Sequence, residues 1–368
     1  MVPHQSWNYG YGFPQTLVEN VTPVQNSGVW CSGTRFAITA VTQSNAYMKT
    51  VMVNWMKALA FGCAVILFIS CDDSNEPVGK GNVQFELTDA PTDDANVKNV
   101  FVTVTDIKVD GKSIGGVTKT TLDLKAYSEG KTKVLAMANQ FDAKAYGKVS
   151  LVLDLNTDAN GASPGCYVQT VDGARYKLKN TADGMTEVVV AKSFEVASNT
   201  TTRVVLDFDI RKSIAYDANE SVRYKFVSDG SLGGAVRLVI REKAGMIKGM
   251  YSDNLGGSGK VVVYAYKKGT FSASTETQPQ GENQAYFMNA AGSSEVKSGL
   301  SGKEYTIAFL EEGDYELYFA SYEETPSGKA SYTGLLQAET SVDGSVGNKI
   351  TVEAGATVAI LTVVKGIL

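Results

Sequence analysis

Apolar and polar residues alternate along most of the chain from about residue 80 onwards, and this period most constrains the fold. The alternation is clear in residues 83–87, 149–155, 204–210 and 236–240. Successive side chains of a β-strand point to opposite faces of its sheet, so each run predicts a strand with one apolar face. No stretch beyond residue 80 shows the 3.6-residue period of an amphipathic helix. The chain is therefore predicted to be all-β.

Turn signals separate these runs. A polar residue followed by Gly favours a tight turn, and turns at short intervals are typical of antiparallel β-sandwiches. In residues 100–109 the apolar phase also shifts near Thr105-Asp106, which predicts a one-residue bulge. The turn dipeptides are Asp110-Gly111, Glu129-Gly130, Asn160-Gly161, Asp172-Gly173 and Asp229-Gly230.

An uncharged, mostly apolar run, residues 58–70, ends at Cys71 and is followed by two aspartates. About a dozen apolar residues fit the core of a secretion signal, whereas a transmembrane helix needs about 20. Residues 68–71 read Phe-Ile-Ser-Cys and resemble the lipobox of bacterial lipoproteins, although the usual leucine is replaced by phenylalanine. The resemblance implies cleavage between Ser70 and Cys71 and a lipid on the Cys71 thiol. The alternatives are ordinary signal cleavage and a buried apolar helix.

The lipobox divides the first part of the chain. Residues 1–47 are interpreted as an over-extended start, residues 48–70 as the lipoprotein signal peptide, and residues 71–80 as an acidic, flexible tether. The aspartates at 72 and 73 resemble the export signal of Bacteroides-type surface lipoproteins; a plain solvated tether is the alternative. We therefore expect an outer-membrane protein that is anchored by its lipid and exposed on the cell surface.

The charge of the chain bears on its partners, and its cysteine content bears on disulfide bonds. The whole chain has 34 Lys and Arg against 39 Asp and Glu, and loss of the leader would remove three basic residues and one acidic residue. Nucleic acid is disfavoured as a partner, because binding it calls for a basic face. Beyond Cys71 the chain has one cysteine, Cys166. No disulfide within the mature chain is expected, and Cys166 is interpreted as a small buried or turn residue.

Three stretches of the first half carry a family resemblance. Residues 81–91 read Gly-Asn-Val-Gln-Phe-Glu-Leu-Thr-Asp-Ala-Pro, and residues 100–109 and 204–214 follow as further strand-like runs. In this order and spacing they make residues 81–243 resemble a family of bacterial lipoproteins catalogued as domain of unknown function 4382. The resemblance implies an exported β-rich domain and assigns no chemistry to it.

A second unit is predicted over residues 244–368. Its run Val261–Tyr266, preceded by a Gly-rich turn, is similar to transthyretin-like or carboxypeptidase-regulatory-like domains. Residues 270–283, rich in Ser, Thr and Gln, are predicted to be an exposed loop. The expected architecture is thus two antiparallel β-sandwich domains in tandem after a lipoprotein signal peptide.

The acidic loop after the first strand allows two interpretations. Asp89 precedes Pro91 and can accept backbone N–H groups in a turn, which is a structural role. The sharper possibility is a calcium site made of Asp89, Asp93 and Asp94, because Ca²⁺ favours carboxylate oxygens. The spacing does not match an EF-hand loop. No cofactor is expected elsewhere.

Asp207 and Asp209 lie two residues apart, on the polar face of a predicted strand. Paired carboxylates raise the hypothesis of a glycan hydrolase. The favoured interpretation is a solvated ion-pair face, with Arg203, Arg211 and Lys212 as partners. The only histidine, at position 4, precedes Cys71, so a Ser-His-Asp triad, a Cys-His pair and a His-ligated zinc are excluded for the mature chain.

Tyrosine is abundant in the second unit. Tyr264 with Tyr266, and Tyr318 with Tyr322, fall at even spacing, so each pair would line one face of a sheet. One interpretation is cross-strand aromatic packing. The other is a platform for sugars or a partner protein, since tyrosine is enriched at interfaces.

Three functions remain open at this point. The favoured one is a non-catalytic cell-surface lipoprotein that acts as a binding or adhesion module, with a glycan or a protein as ligand. The second is a fimbrial subunit or pilus anchor that assembles by strand exchange, although no arginine for processing lies between Cys71 and Gly81. The third is a carboxylate-based glycan hydrolase that uses Asp207 and Asp209.

Overall fold

The computed structural model describes residues 79–91, 94–180, 184–217, 222–253, 259–323 and 330–368. These residues are nearly all β, which confirms the predicted fold class. They fall within one compact unit. The predicted leader and most of the predicted tether lie outside the described residues. We call residues 79–243 the first β segment and residues 244–368 the second β segment.

Strands of 2 to 13 residues, two 3-10 turns and two short helices make up the described part of the first β segment. Their bounds are β1 (Lys80–Ala90), β2 (Val97–Val109), β3 (Lys112–Ser113), β4 (Thr120–Asp123), η1 (Leu124–Tyr127), β5 (Lys133–Asp142), β6 (Ala145–Tyr146), β7 (Val149–Asp154), β8 (Tyr167–Thr170), β9 (Arg175–Lys177), β10 (Met185–Val190), β11 (Phe194–Glu195), β12 (Thr201–Asp209), α1 (Ile210–Ser213), β13 (Ile214–Tyr216), β14 (Tyr224–Phe226), α2 (Asp229–Gly234), β15 (Val236–Ile240) and η2 (Arg241–Lys243).

Two larger sheets enclose the core of the first β segment. One has the strand order β15, β12, β1, β5, and the other has the main order β10, β7, β2, β8, β9. Val83, Phe85 and Leu87 of β1 share one apolar cluster with Val100 and Val102 of β2. The two-residue period read from the sequence therefore marks the inward faces.

The pairing of β1 departs from the predicted antiparallel arrangement. β1 is an interior strand, antiparallel to β5 but parallel to β12, with Asn82 opposite Thr201 and Ala90 opposite Asp209. A hairpin forces two strands to be antiparallel, whereas β1 and β12 are separated by all the strands of the second sheet. Their relative direction was therefore not fixed by any local turn.

The predicted bulge in β2 is confirmed. Val104 lies opposite Leu153 of β7, but Asp106 lies opposite Val152, so the register shifts by one residue at Thr105. The extra residue keeps Val104 and Ile107 both buried, although they are three positions apart.

The second β segment contains the remaining strands and one short helix. Their bounds are β16 (Ala244–Asp253), β17 (Lys260–Lys267), α3 (Ala273–Glu276), β18 (Gly292–Glu295), β19 (Lys297–Gly299), β20 (Gly302–Glu311), β21 (Gly313–Glu323), β22 (Ser331–Val342), β23 (Ser345–Val346), β24 (Ile350–Val352) and β25 (Thr357–Ile367).

One large sheet forms the second β segment. Its main order is β18, β17, β21, β22, β25, β16, β20, β19, with β25 parallel to β16. The two ends of this order approach each other, since the backbone N–H of Thr306 in β20 donates to Ser294 Oγ of β18 at 3.1 Å. The sheet therefore curls around an apolar cluster that includes Val263, Ile307 and Phe319.

The chain changes from one set of sheets to the other at η2, where the second unit was expected to begin. A small apolar cluster joins the two segments there: Val205 and Val239 from the first β segment pack with Ala244 and Phe309 from the second. The first and second β segments are thus in direct contact.

Two local predictions have different outcomes. Asp110-Gly111 forms a turn with φ angles of 49° and 80°, as expected. Asp229-Gly230 does not form a turn between strands; it opens α2, whose Leu232 is buried in the core. The burial of Leu232 depends on tertiary contacts, which a dipeptide in the sequence cannot predict. Among the described residues, no helix has the length and apolar character needed to cross a membrane.

Candidate functional site

The four tyrosines proposed as a ligand platform lie on the neighbouring strands β17 and β21. Tyr264 is directly opposite Tyr318. However, Tyr264, Tyr266 and Tyr322 are at most 2% exposed, and only Tyr318 is half-buried. The tyrosines form an internal aromatic cluster in this structure and do not present an open platform.

The segment between β17 and β18 covers these rings. Residues 270–283, which were expected to be an exposed loop, are mostly exposed but include α3 and the buried Glu276 and Asn283. Phe271 and Phe287 pack against the tyrosines. The ring of Phe287 stacks on Tyr264 with centroids 4.2 Å apart, and Phe271 stacks on Tyr318 at 3.6 Å. Both faces of β17 are therefore buried, which an alternating pattern with tyrosine on one face does not reveal.

The hydroxyl groups of the cluster have internal partners. The Tyr264 and Tyr322 hydroxyls lie 2.7 Å apart, and the Tyr266 hydroxyl donates to Glu276 Oε2 at 2.6 Å. Burial, followed by the bond to Glu276, raises the pKa of Tyr266. Burial and Glu316 raise the pKa of Tyr318 to about 12. The phenols of Tyr266 and Tyr318 are therefore neutral at neutral pH.

The structure does not bring the described calcium candidates into one site. Asp94 accepts from the backbone N–H of Asn96 at 2.9 Å and from the Tyr224 hydroxyl at 2.9 Å. Asp89 is not in a turn; it lies within β1, and its Oδ1 accepts from the backbone N–H of Ile210 at 3.4 Å. Asp93 lies outside the described residues, among which no group of three or more Asp, Glu, His or Cys is placed to hold a metal ion.

Asp207 and Asp209 are buried, which corrects the expectation of a solvated face. Asp207 accepts from Arg237 at 2.6 Å, and Asp209 accepts from Arg211 at 3.1 Å with Lys212 at 3.5 Å. Burial raises the pKa of Asp209, but Arg211 and Lys212 outweigh this effect, so the pKa lies below its usual value.

Arg203, the other predicted partner, instead pairs with Glu242 at 2.6 Å. The second β segment covers the aspartates. The guanidinium of Arg237 also donates to the carbonyl of Phe309, at 2.6 Å. A sequence can show that two carboxylates share a strand face but not that another sheet lies over it.

A cavity of about 70 Å³ lies beside this covered face, at the junction of the two segments. We call it the junction cavity. Its lining includes Asp89 at the end of β1, Lys125 of η1, Asp207 of β12, Arg237 of β15 and Ser293 of β18. Sequence reasoning singled out Asp89 and Asp207 among these five. Arg237 had a weak signal, as a charged residue within an apolar run, and Ser293 had none.

A wider groove is lined mostly by the first β segment, with Glu311 of the second, and we call it the side groove. Its volume is about 760 Å³, and its lining includes the buried Phe194 and Leu238 together with Lys144, Glu195 and Lys243. Clefts of about 300–1,000 Å³ are typical of ligand sites. The side groove is large enough for a ligand, whereas the junction cavity has room only for a few waters or one end group.

Cys166 is buried in the first core, as one of its two interpretations expected. Its thiol donates to the carbonyl of Asp154 at 3.3 Å. Burial raises the pKa of Cys166 to about 12, so the thiol is protonated at neutral pH. The geometry thus gives Cys166 a packing role.

The comparison with protein families agrees with the resemblance seen in the sequence. Residues 80–226 match the model of the family described as domain of unknown function (DUF4382). In the structure the same sheet continues beyond this match, because β15 pairs with β12. No curated protein matches the chain.

Solved structures similar to this chain include two pilins and the TIE protein of Bacillus anthracis. The Bacillus anthracis TIE protein is 13% identical, with a TM-score of 0.16, over 77% of this chain and 34% of its own length, so this chain spans about a third of it. BcpA, the major pilin subunit of Bacillus cereus, is 10% identical with a TM-score of 0.18, over 77% of this chain and 70% of its own. GBS52, the minor pilin of Streptococcus agalactiae, is 12% identical with a TM-score of 0.18, over 77% and 96%. At these TM-scores the similarities carry no argument.

Proposed function

We propose that the chain, whose residues 80–226 match the domain of unknown function 4382 family, is a non-catalytic binding or adhesion module. In this proposal it is held at the outer membrane by a lipid on Cys71 and faces the outside of the cell. One observation carries the non-catalytic part: the groove of ligand size and the carboxylate pair are in different places. The side groove is lined by neither Asp207 nor Asp209.

The state of the two aspartates supports the same proposal. A carboxylate-based glycosidase needs one carboxyl group that gives up a proton and a second that reaches the sugar. Asp209 has a lowered pKa and is bound to Arg211, and Asp207 is bound to Arg237 under the second β segment. Both charges are therefore used to hold the structure together.

A ligand is expected to bind in the side groove. Its rim carries Lys144, Lys243, Glu195 and Glu242 as exposed charges, and its floor contains the buried Leu238. An apolar floor with a few polar groups at the rim is the usual make-up of a small-ligand site. A sugar or a short polar peptide segment fits this description.

A glycan array on the purified protein, with detection of released sugar, tests binding and turnover together. We expect retention of a glycan without release, and at least a severalfold loss of affinity in Lys243→Ala, because charged contacts are worth about 1.5–3 kcal/mol. Lys98→Ala, on the exposed part of β2, is the matched control. Release of sugar that stops in Asp207→Asn would overturn the proposal.

The anchor is tested separately from the ligand. Palmitate labelling of the expressed protein is expected to disappear in Cys71→Ala and to persist in Cys63→Ala, which changes the other cysteine of the apolar leader. Protease treatment of intact cells should then degrade the labelled protein. Label that survives in Cys71→Ala would remove the lipid anchor from the proposal.

A fimbrial subunit is the second candidate, and the position of β1 favours it. β1 is the first described strand, lies between β12 and β5, and supplies Val83, Phe85 and Leu87 to the core. Removal of β1 from the sheet would leave an apolar groove between β12 and β5, each with a free strand edge, and strand exchange requires such a groove. A high-molecular-weight ladder on mildly denaturing gels of cell envelopes is the expected sign, and a monomer alone would exclude this candidate.

A further inference from the structure

Two buried polar atoms without a partner meet at the junction cavity. Asp89 Oδ2 and Ser293 Oγ have no hydrogen-bond partner among the described residues. The two residues are only 6% and 9% exposed. A buried polar atom without a partner loses its hydration and gains nothing in return, so such atoms are rare in folded proteins. Both residues line the junction cavity, so an ordered water or a ligand group held there would supply the missing partners.

The other charges around the cavity are balanced in pairs. Asp207 pairs with Arg237 at 2.6 Å. Glu129 of the first β segment pairs with Lys297 of the second at 2.7 Å, where both side chains are exposed at the rim. Glu295 pairs with Lys260 at 3.3 Å. Asp89 and Lys125 are therefore the ionisable side chains of the lining that form no ion pair among the described residues.

Lys125 and Asp89 have unequal charge states. The ammonium group of Lys125 donates to the carbonyl of Val97, which uses one of its three N–H groups. Within the described part of the chain it has no ion-pair partner. Asp89 is buried, and its surroundings favour the neutral carboxyl group: burial first, then Asp209 and Asp207, raise its pKa well above the usual value. Burial, followed by Lys260, lowers the pKa of Lys125, whereas Glu295 and Asp123 act in the opposite direction. With Asp89 neutral, Lys125 is a cation of the lining that forms no ion pair among the described residues.

The chemistry of the lining follows from these charges. A neutral carboxyl group, a hydroxyl group and an ammonium group can all donate hydrogen bonds toward the same space. Three such donors with a net positive charge suit an anion with two oxygen acceptors. The volume of about 70 Å³ excludes a whole sugar or peptide but admits an end group.

We propose that the junction cavity binds the carboxylate end group of a ligand, through Lys125, Ser293 and the carboxyl group of Asp89. The carboxylate can belong to an acidic sugar or to a peptide; the recognised group is the same. Lys125 supplies the charge, and Ser293 and Asp89 supply the donors that fix its orientation. The inference rests on the proposed binding function but not on the lipid anchor or the side groove.

Acetate is the probe for this site, tested on the purified full chain. Saturation-transfer NMR on the acetate methyl group and thermal unfolding are measured in sodium acetate and, at equal ionic strength, in sodium chloride. We expect saturation transfer to acetate and a rise in the unfolding temperature with acetate alone, since a ligand that binds only the folded state stabilises it. Methylammonium chloride, the cationic probe, is expected to have no effect.

Variants locate the bound acetate. Ser293→Ala should weaken acetate about threefold to tenfold and Lys125→Met about tenfold or more, in line with neutral and charged hydrogen bonds. Ser293→Ala is expected to fold as well as the parent without acetate, because it removes a hydroxyl that has no partner. Ser150→Ala, a buried serine of β7 away from the cavity, and Lys98→Ala, on the exposed part of β2, are the controls and should leave acetate binding unchanged.

The possible results separate the inference from the proposed function. Acetate binding that is lost in Ser293→Ala supports the inference even if no glycan binds the side groove. Stabilisation by methylammonium would assign the cavity to a cation and overturn it. Acetate that has no effect beyond chloride, or that acts equally on Ser293→Ala and the parent, would overturn it as well and leave ordered water as the occupant.

Discussion

At the scale of single residues, the side chains that the sequence marks as reactive have internal partners. Asp209 is bound to Arg211, Tyr266 to Glu276, and Cys166 is buried with its thiol near Asp154. A buried polar group is costly unless it is paired, so pairing is what permits these residues to lie inside. Asp89 is paired only in part, because its Oδ1 accepts from Ile210 while its Oδ2 has no partner among the described residues.

The bond between Tyr266 and Glu276 is expected to stabilise the covering segment. Tyr266→Phe removes a buried hydroxyl that donates at 2.6 Å and should cost about 1–3 kcal/mol of unfolding free energy. Tyr318→Phe, whose hydroxyl contacts Glu316 from a half-buried position at 3.2 Å, should cost less than about 1 kcal/mol. Urea unfolding measures the loss of unfolding free energy in both variants, and an equal loss in the two would contradict the stronger role given to the Tyr266 hydroxyl.

Asp89 and Asp209 should affect the pH dependence of stability in opposite directions. The folded state raises the pKa of Asp89, so stability from this group is present below its unfolded pKa of about 4 and is lost as pH rises towards the folded pKa. Asp89→Asn removes that loss. The free energy of unfolding of Asp89→Asn should exceed that of the parent by an amount that grows with pH, by at most about 1.4 kcal/mol per pH unit.

Asp209 is the matched control, because its pKa is lowered in the folded state. Its stabilising contribution is present above the unfolded pKa and is lost as pH falls. Asp209→Asn should therefore be less stable than the parent at about pH 7, and the difference should shrink below about pH 4. Urea unfolding from about pH 3 to 8 measures both variants. If the unfolding free energy of either variant changed with pH in the same way as that of the parent, the pKa shift described for that aspartate would be wrong.

At the scale of elements, strand positions depend on close contacts between neighbouring strands. Gly249 of β16 lies opposite Tyr305 of β20, whose ring covers it. A Cβ at position 249 would lie 2.0 Å from the Tyr305 ring. The Tyr305 ring cannot easily move away, because its hydroxyl is bonded to Thr362 Oγ1 at 2.9 Å within the core.

Gly249→Ala is therefore expected to destabilise the second β segment. Overpacking of this kind costs about 1–3 kcal/mol or more. Gly347→Ala is the control, since a Cβ at position 347 meets nothing within 4 Å, and it should change stability by less than about 0.5 kcal/mol. Chemical denaturation of both variants gives the comparison, and a neutral Gly249→Ala would show that β16 and β20 pack less closely than described.

At the scale of the whole molecule, the two segments share apolar and charged contacts. Phe309 of the second segment packs on Val205 and Val239, and its carbonyl accepts from Arg237 of the first. Arg211 donates to the carbonyl of Phe287 at 3.2 Å. Because these contacts are wholly or partly buried, separation of the segments would expose unpaired charges together with apolar surface.

The two segments are accordingly expected to unfold in one transition. Phe309→Ala should weaken the junction by about 3–5 kcal/mol and split the calorimetric transition into two. Lys297→Ala, which breaks an exposed pair across the same junction at 2.7 Å, should leave one transition. Two transitions in the unmodified protein would contradict the coupling.

Much of the local structure could be predicted from the sequence. The alternation in β1, the turn at Asp110-Gly111 and the bulge at Thr105 follow from properties of neighbouring residues: side-chain direction, tolerance of positive φ, and a phase shift of the apolar pattern. All three involve residues that are close together in the chain. The all-β fold class follows from the same local rules.

The tertiary structure decided which faces are covered and which distant groups meet. The alternation in β17 is compatible with a tyrosine face that is open to solvent and with one that is covered. In the structure this face is covered, because Phe287, some twenty residues further along the chain, stacks on Tyr264. The parallel pairing of β1 with β12 and the meeting of Asp89, Lys125 and Ser293 at one cavity likewise depend on strands that no short turn connects. A sequence period reports the direction of a side chain, whereas burial and charge state depend on what the rest of the chain places against it.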